Sequence, residues 1–141
     1  MRNWILILED NQERRDGFIE VLKELAHGSE IIFWNNARVM IRELPAHLGN
    51  ARLISLDHDL NEVPASEDAA DGLLVAEFLA RQTPVCPLVV HSSNYERSLS
   101  MVNELNYSGW QVERVGPVCA DWITSLWRPV IAQLLIRSKG A

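Results

Sequence analysis

The sequence predicts an open, parallel α/β sheet with helices packed on both faces. Two observations carry that prediction. Five short apolar runs of strand length alternate with five segments whose apolar residues recur at helical spacing. Strands covered on both faces read as continuous apolar runs, and parallel neighbours need a crossover that a helix supplies. At 141 residues the expectation is one compact domain over 1–141.

Trp4 to Leu8 is the first apolar run, stopped by Glu9-Asp10-Asn11. From Asn11 the period changes: Phe18, Val21, Leu22 and Leu25 share a helical face, and His27-Gly28 gives a stop. Glu30 to Trp34 is the second strand. Asn35-Asn36 then caps a helix marked by Val39, Met40 and Leu44 that ends near Pro45 to Gly49. Arg52 to Leu56 is the third strand, closed by Asp57-His58-Asp59 and followed by a polar loop from Asn61 to Ala70. Asp71-Gly72 opens the next helix, where Leu74/Phe78 and Val75/Leu79 are i,i+4 pairs. Leu88 to Val90 is the fourth strand, ending at His91-Ser92-Ser93-Asn94. A helix with Leu99, Val102 and Leu105 follows and is broken by Gly109. Trp110 to Val115 is the fifth strand, ending at Gly116-Pro117. The last helix carries an apolar stripe of pairs four residues apart, from Trp122/Ile123 and Leu126/Trp127 to Leu134/Leu135. Pro129 predicts a kink or two abutting segments there.

Right-handed crossovers on both faces give a flavodoxin-like (βα)5 three-layer sandwich with strand order 2-1-3-4-5. In such sheets ligands bind beyond the carboxyl ends of the strands, at the switch point where the order reverses.

With 48% hydrophobic and 23% charged residues the chain has the composition of a soluble globule. Its 13 basic against 19 acidic side chains, a net charge of −6, exclude a basic stripe of the kind nucleic acid requires. No run approaches the ~18 apolar residues that span a bilayer, and the N-terminus lacks a signal-peptide pattern. A cytoplasmic location is expected. Cys86 and Cys119 stand far apart without ligand spacing and are expected to act as small core residues.

Chemistry-bearing residues gather after strands one, three and four: Glu9 and Asp10; Asp57, His58 and Asp59; His91, Ser92, Ser93 and Asn94. Neighbouring positions in the sheet would bring them to one crevice. Clustered carboxylates repel, and a hard cation such as Mg²⁺ removes that cost while taking phosphate oxygens as further ligands. Ser92-Ser93-Asn94 at a strand-to-helix turn offers hydroxyls and backbone N–H groups as a phosphate seat. Each group also has a plainer reading. Glu9-Asp10-Asn11 and Ser93-Asn94 fit helix caps, Asp57 fits a solvated loop, and His58 and His91 fit structural histidines. Trp122 and Trp127 fit either core or a partner-facing surface.

Ile5 to Asn11, Ile54-Ser55-Leu56-Asp57 and Asp71-Gly72 with the helix behind it resemble the receiver domain of two-component response regulators, over essentially the whole chain. The resemblance implies Mg²⁺ held by Asp10, Asp57 and the backbone carbonyl of Asp59, with Glu9 assisting through water. It implies a phosphoryl contact from Ser92 or Ser93. Where receivers carry a lysine before the proline after strand five, this chain has Gly116-Pro117, with Arg114 two residues earlier as a substitute charge. The two histidines, in Ser55-Leu56-Asp57-His58-Asp59-Leu60 and His91-Ser92-Ser93-Asn94, resemble the cyclic-phosphate processing receiver domains.

That likeness implies a metal-dependent phosphoesterase opening cyclic phosphates of a small phosphorylated molecule, with His58 and His91 dividing the acid and base roles beside Asp57. The alternative is a stand-alone receiver phosphorylated on Asp57 by a phosphodonor or a histidine kinase. A third reading is an interaction module docking a partner protein through the Trp122/Trp127 stripe. Neither nucleic acid nor membrane is expected as a partner.

Overall fold

The computed structural model describes residues 2–60 and 71–139, without the side chains of 137–139. The polar loop expected over Asn61 to Ala70 lies outside the described residues. Five strands form one sheet: β1 (Trp4–Leu8), β2 (Glu30–Trp34), β3 (Ala51–Leu56), β4 (Leu88–His91) and β5 (Val112–Val115). Their order is β2-β1-β3-β4-β5 and every pairing is parallel, as the alternation of elements predicts. The helices are α1 (Gln12–Leu25), α2 (Ala37–His47), α3 (Gly72–Ala80), α4 (Tyr95–Tyr107) and α5 (Arg128–Lys139). None of the described helices is long and apolar enough to cross a membrane.

The caps follow the sequence. Asn11, Asn36, Asp71 and Asn94 are the N-cap residues of α1 to α4, each accepting a bond from a backbone N–H of the first turn. Strand alternation then sorts the core into two layers. Leu6, Leu8, Ile54, Leu56, Leu88 and Val90 pack under α2, α3 and α4. Ile5, Ile7, Leu53 and Val89 pack under α1 and α5 with Phe18, Trp122 and Trp127.

Helix α2 ends at His47, within the expected Pro45 to Gly49, and closes in a 3-10 turn, Leu48–Asn50; a proline near a helix end forfeits little of the ladder. Other boundaries differ from the expectation. Trp110 precedes β5, its indole N–H donating to the Leu79 carbonyl at 2.9 Å instead of joining the sheet. Strand β4 includes His91, which therefore shares the face of Val89. The segment before α5 is a π-helical turn, Ile123–Trp127, so the apolar stripe runs in two abutting pieces, and it buries both Trp122 and Trp127. A partner-docking role for those tryptophans is thereby excluded. Cys86 is half-buried, but Cys119 is exposed and is not a core residue.

Candidate functional site

A cavity of about 370 Å³ opens at the carboxyl edge of the sheet, lined by residues that include Glu9, Asp10, Asp57, His58, Asp59 and Asp71. Chain geometry explains the convergence. Strands β1 and β3 are neighbours, so their last residues, Leu8 and Leu56, pair, and the polar residues beyond them emerge side by side. Glu9 keeps the parity of Ile5 and Ile7, and Asp57 that of Leu53 and Ser55, so both carboxylates start on the α1/α5 side. Both are buried.

The return of the chain into α3 completes the wall. Gly72 N–H donates to the His58 carbonyl at 3.0 Å. A Cβ at position 72 would lie 1.9 Å from the Asp57 carbonyl oxygen, so only glycine allows this approach. Asp71, the α3 cap, comes with it and sets Oδ2 3.2 Å from His58 Nε2. The other ring nitrogen, Nδ1, lies 2.7 Å from Asp59 Oδ1. An ionised carboxylate only accepts, so Nδ1 carries the proton in that bond. Nε2 is buried and makes no hydrogen bond, the Asp71 contact being out of line.

Arg14, on the first turn of α1, is the cation that sequence reasoning missed. Its guanidinium is 3.6 Å from Glu9 Oε1 and 3.7 Å from Asp57 Oδ2, and it lies over the Trp122 ring at 5.4 Å. The signal was available: Arg14 is four residues after Asp10, one helical turn above the acidic pair. Arg114 turns elsewhere, donating to Ser98 Oγ at 2.6 Å and covering the Tyr95 ring. The positive charge near the carboxylates thus comes from the helix after strand one and not from strand five.

The electrostatics are unequal across the cluster. Burial pushes the Asp57 carboxyl up, and Glu9 adds to the effect against the opposing Arg14 charge, to about 8. Burial also works to raise Glu9, but a hydrogen bond from His91, the Asn11 N–H and the Arg14 charge outweigh it and hold that carboxyl below its ordinary range. The two carboxyls are thus pushed apart, as crowding in one buried cleft requires.

Of the predicted residues, Glu9, Asp10, Asp57, His58, Asp59 and Ser93 line the cavity. Ser92 is buried and its Oγ accepts from Asn94 N–H, while Asn94 caps α4 through Arg97 N–H. His91 is fully buried behind Glu9, with Nε2 3.0 Å from Glu9 Oε1. One ligand atom each from Glu9, Asp57 and His91 falls within 4.8 Å of the others.

A family model described as the cyclic-phosphate processing receiver domain matches residues 4–107. No curated protein sequence matches. Among solved structures, the signal receiver domain of a putative LuxO repressor protein from Vibrio parahaemolyticus superposes with a TM-score of 0.68. It is 16% identical, over 99% of this chain and 94% of that one. The response regulator domain of Thermotoga maritima CheB gives 0.67 at 10% identity over 100% and 98%. The phosphorylated cyanobacterial phytochrome response regulator RcpA gives 0.61 at 18% identity over 99% and 91%. At these identities the likeness is one of fold.

Proposed function

The chain belongs to the cyclic-phosphate processing receiver family, and from that premise we propose that its cavity binds a divalent cation and hydrolyses the cyclic phosphate bond of a small phosphorylated substrate. The observation that carries the reading is the convergence of Glu9, Asp10, Asp57 and His58 on one cavity with Arg14 beside them. The donor chemistry fits a hard ion, since Glu9, Asp10 and Asp57 offer oxygen alone. Asp10 and Asp57 would hold Mg²⁺ with the Asp59 carbonyl, and Glu9 would assist. A bound divalent cation would polarise the phosphate and lower the pKa of the attacking water.

The protein's own groups supply the rest. Arg14 neutralises phosphate oxygens in a cavity otherwise dominated by acids, and Ser93 adds a hydroxyl from the β4–α4 turn. His58, oriented by Asp59 through Nδ1, exchanges a proton at Nε2, the ring atom without a hydrogen bond. The balance is simple: water loses a proton to His58 as its oxygen bonds phosphorus, one ring P–O bond breaks, and the departing alkoxide takes a proton from solvent at the cavity mouth.

Incubation with Mg²⁺ and a panel of nucleotide and sugar cyclic phosphates, followed by phosphorus NMR, tests the reading. Turnover of at least one member, lost in Asp57→Ala and reduced by ~10²–10⁴-fold in His58→Ala, is expected. No turnover of any member, or turnover that survives both substitutions, counts against it. The buried Asp57 beside Glu9 and Asp10 also favours a second reading, phosphoryl transfer to Asp57 within a signalling pathway. A labile adduct on Asp57 after acetyl phosphate treatment, without hydrolysis of any cyclic phosphate, would select it.

A further inference from the structure

Behind the cavity runs a chain of four fully buried polar side chains from β3, β4, the π-helical turn and the turn after β1. Trp127 Nε1 donates to Ser55 Oγ at 3.2 Å, Ser55 Oγ is 2.6 Å from His91 Nδ1, and His91 Nε2 is 3.0 Å from Glu9 Oε1. Phe18 meets the His91 ring edge-on with centroids 5.0 Å apart, and Trp122 stacks on it at 6.0 Å. The imidazole is thus enclosed and does not line the cavity.

The direction of each bond follows from what the groups can do. An indole nitrogen only donates, so Ser55 Oγ accepts from Trp127. Ser55 Oγ keeps its hydroxyl proton for His91 Nδ1, the one remaining polar atom it meets. Nε2 faces a carboxylate oxygen, which only accepts, so Nε2 carries a ring proton and gives it to Glu9. In this arrangement every donor has an acceptor. The opposite tautomer would leave the Ser55 hydroxyl proton without its partner and turn an Nε2 lone pair toward a carboxylate, costs that burial magnifies.

We propose that Trp127 and Ser55 fix the His91 ring with an Nε2–H on Glu9, making it a positioning residue that aims the Glu9 carboxylate and barring it from ligating a cation. Although His91 lies within ligand distance of Glu9 and Asp57, the site then offers oxygen donors only, which favours Mg²⁺ or Mn²⁺ over Zn²⁺. Trp127 ends the π-helical turn and lies beyond the residues 4–107 matched by the family model, so this anchor is supplied by a part of the chain outside that match. The metal preference rests on the cation site proposed above; the tautomer does not.

Two measurements on the full-length chain test it. The first is a long-range ¹H–¹⁵N correlation spectrum of the histidine rings in metal-free buffer at pH 7, with His91 assigned from its absence in His91→Gln. A proton on His91 Nε2 is expected. Trp127→Phe keeps an aromatic ring but removes the donor, and Ser55→Ala breaks the link one step closer. Each should move the His91 nitrogens toward mixed tautomers, in protein whose melting curve remains cooperative in at least one of the two variants. The second measurement is titration with Mg²⁺ and Zn²⁺ as chlorides. Loss of a partner that orients a ligand typically costs ~10–100-fold, so Mg²⁺ affinity should fall about tenfold in the variants while the Zn²⁺-to-Mg²⁺ preference rises. An Nε2 without a proton in the unaltered protein, or a ring signature unmoved by both substitutions, overturns the proposal. Failure of the unaltered protein to bind any divalent cation would defeat the proposed function and leave the ring spectrum to decide this inference.

Discussion

Replacing Asp57 with asparagine should stabilise the metal-free protein, and by an amount that grows with pH. In the fold, burial and the neighbouring Glu9 charge raise the Asp57 carboxyl from 3.8 to about 8. The unfolded chain gives up this proton near 3.8, so between the two values the folded state binds a proton that the unfolded state has lost. Stability therefore falls as pH rises through this window, and the loss is complete above the folded value. About four pH units at ~1.4 kcal/mol each set a ceiling of about 6 kcal/mol. The opposing Arg14 charge is contained in that value, and water reaching the ionised carboxylate reduces the ceiling. An increase of at least ~2 kcal/mol for Asp57→Asn at pH 7.5 is expected, shrinking toward zero by pH 4. Urea denaturation in chelator-treated buffer, repeated across that range, measures it. A variant no more stable than the parent at pH 7.5, or a difference that ignores pH, would refute the reasoning.

Gly72→Ala should cost ~2–3 kcal/mol or more, because its Cβ would lie 1.9 Å from the Asp57 carbonyl oxygen and backbone must move; thermal unfolding reads this directly. Arg14→Gln removes the cation that competes for Glu9 and Asp57, so calorimetry should show Mg²⁺ binding severalfold more tightly while KM for an anionic substrate rises about tenfold. Trp110→Phe should lower stability by ~1–2 kcal/mol, since the buried Leu79 carbonyl loses its indole donor; denaturant midpoints at unchanged slope would confirm it.

Where periodicity governs, the sequence was legible. The apolar runs at Trp4 to Leu8 and Glu30 to Trp34 coincide with β1 and β2, and Asp71-Gly72 opens α3 as its capping chemistry requires. The acidic wall was legible for the same reason, because parallel strands in the order 2-1-3-4-5 leave residues little choice of edge. Side-chain direction was less so. His91 follows Leu88-Val89-Val90 and looked like the first loop residue; one more strand residue gives it the parity of Val89 and turns it into the core. Ser92 and Asn94 went to burial and capping, which left Ser93 at the cavity. Arg14 went unread although it stands four residues after Asp10. Trp127, read as core or partner surface, gave no sign that its indole would bond Ser55, because long-range partners carry no local signature. An arginine in a first turn looks like solvent-facing charge, and a tryptophan in an apolar stripe looks like packing alone.

Titration of Mg²⁺ by calorimetry at pH 7, in two buffers of different ionisation enthalpy, asks most directly whether these carboxylates form a cation site. A carboxyl held near 8 must surrender its proton when an ion takes its place beside Glu9 and Asp10, so one Mg²⁺ should enter with the release of nearly one proton. The heats should differ between buffers accordingly, and the difference should vanish in Asp57→Asn. No saturable heat, or heat that is the same in both buffers, would contradict the account.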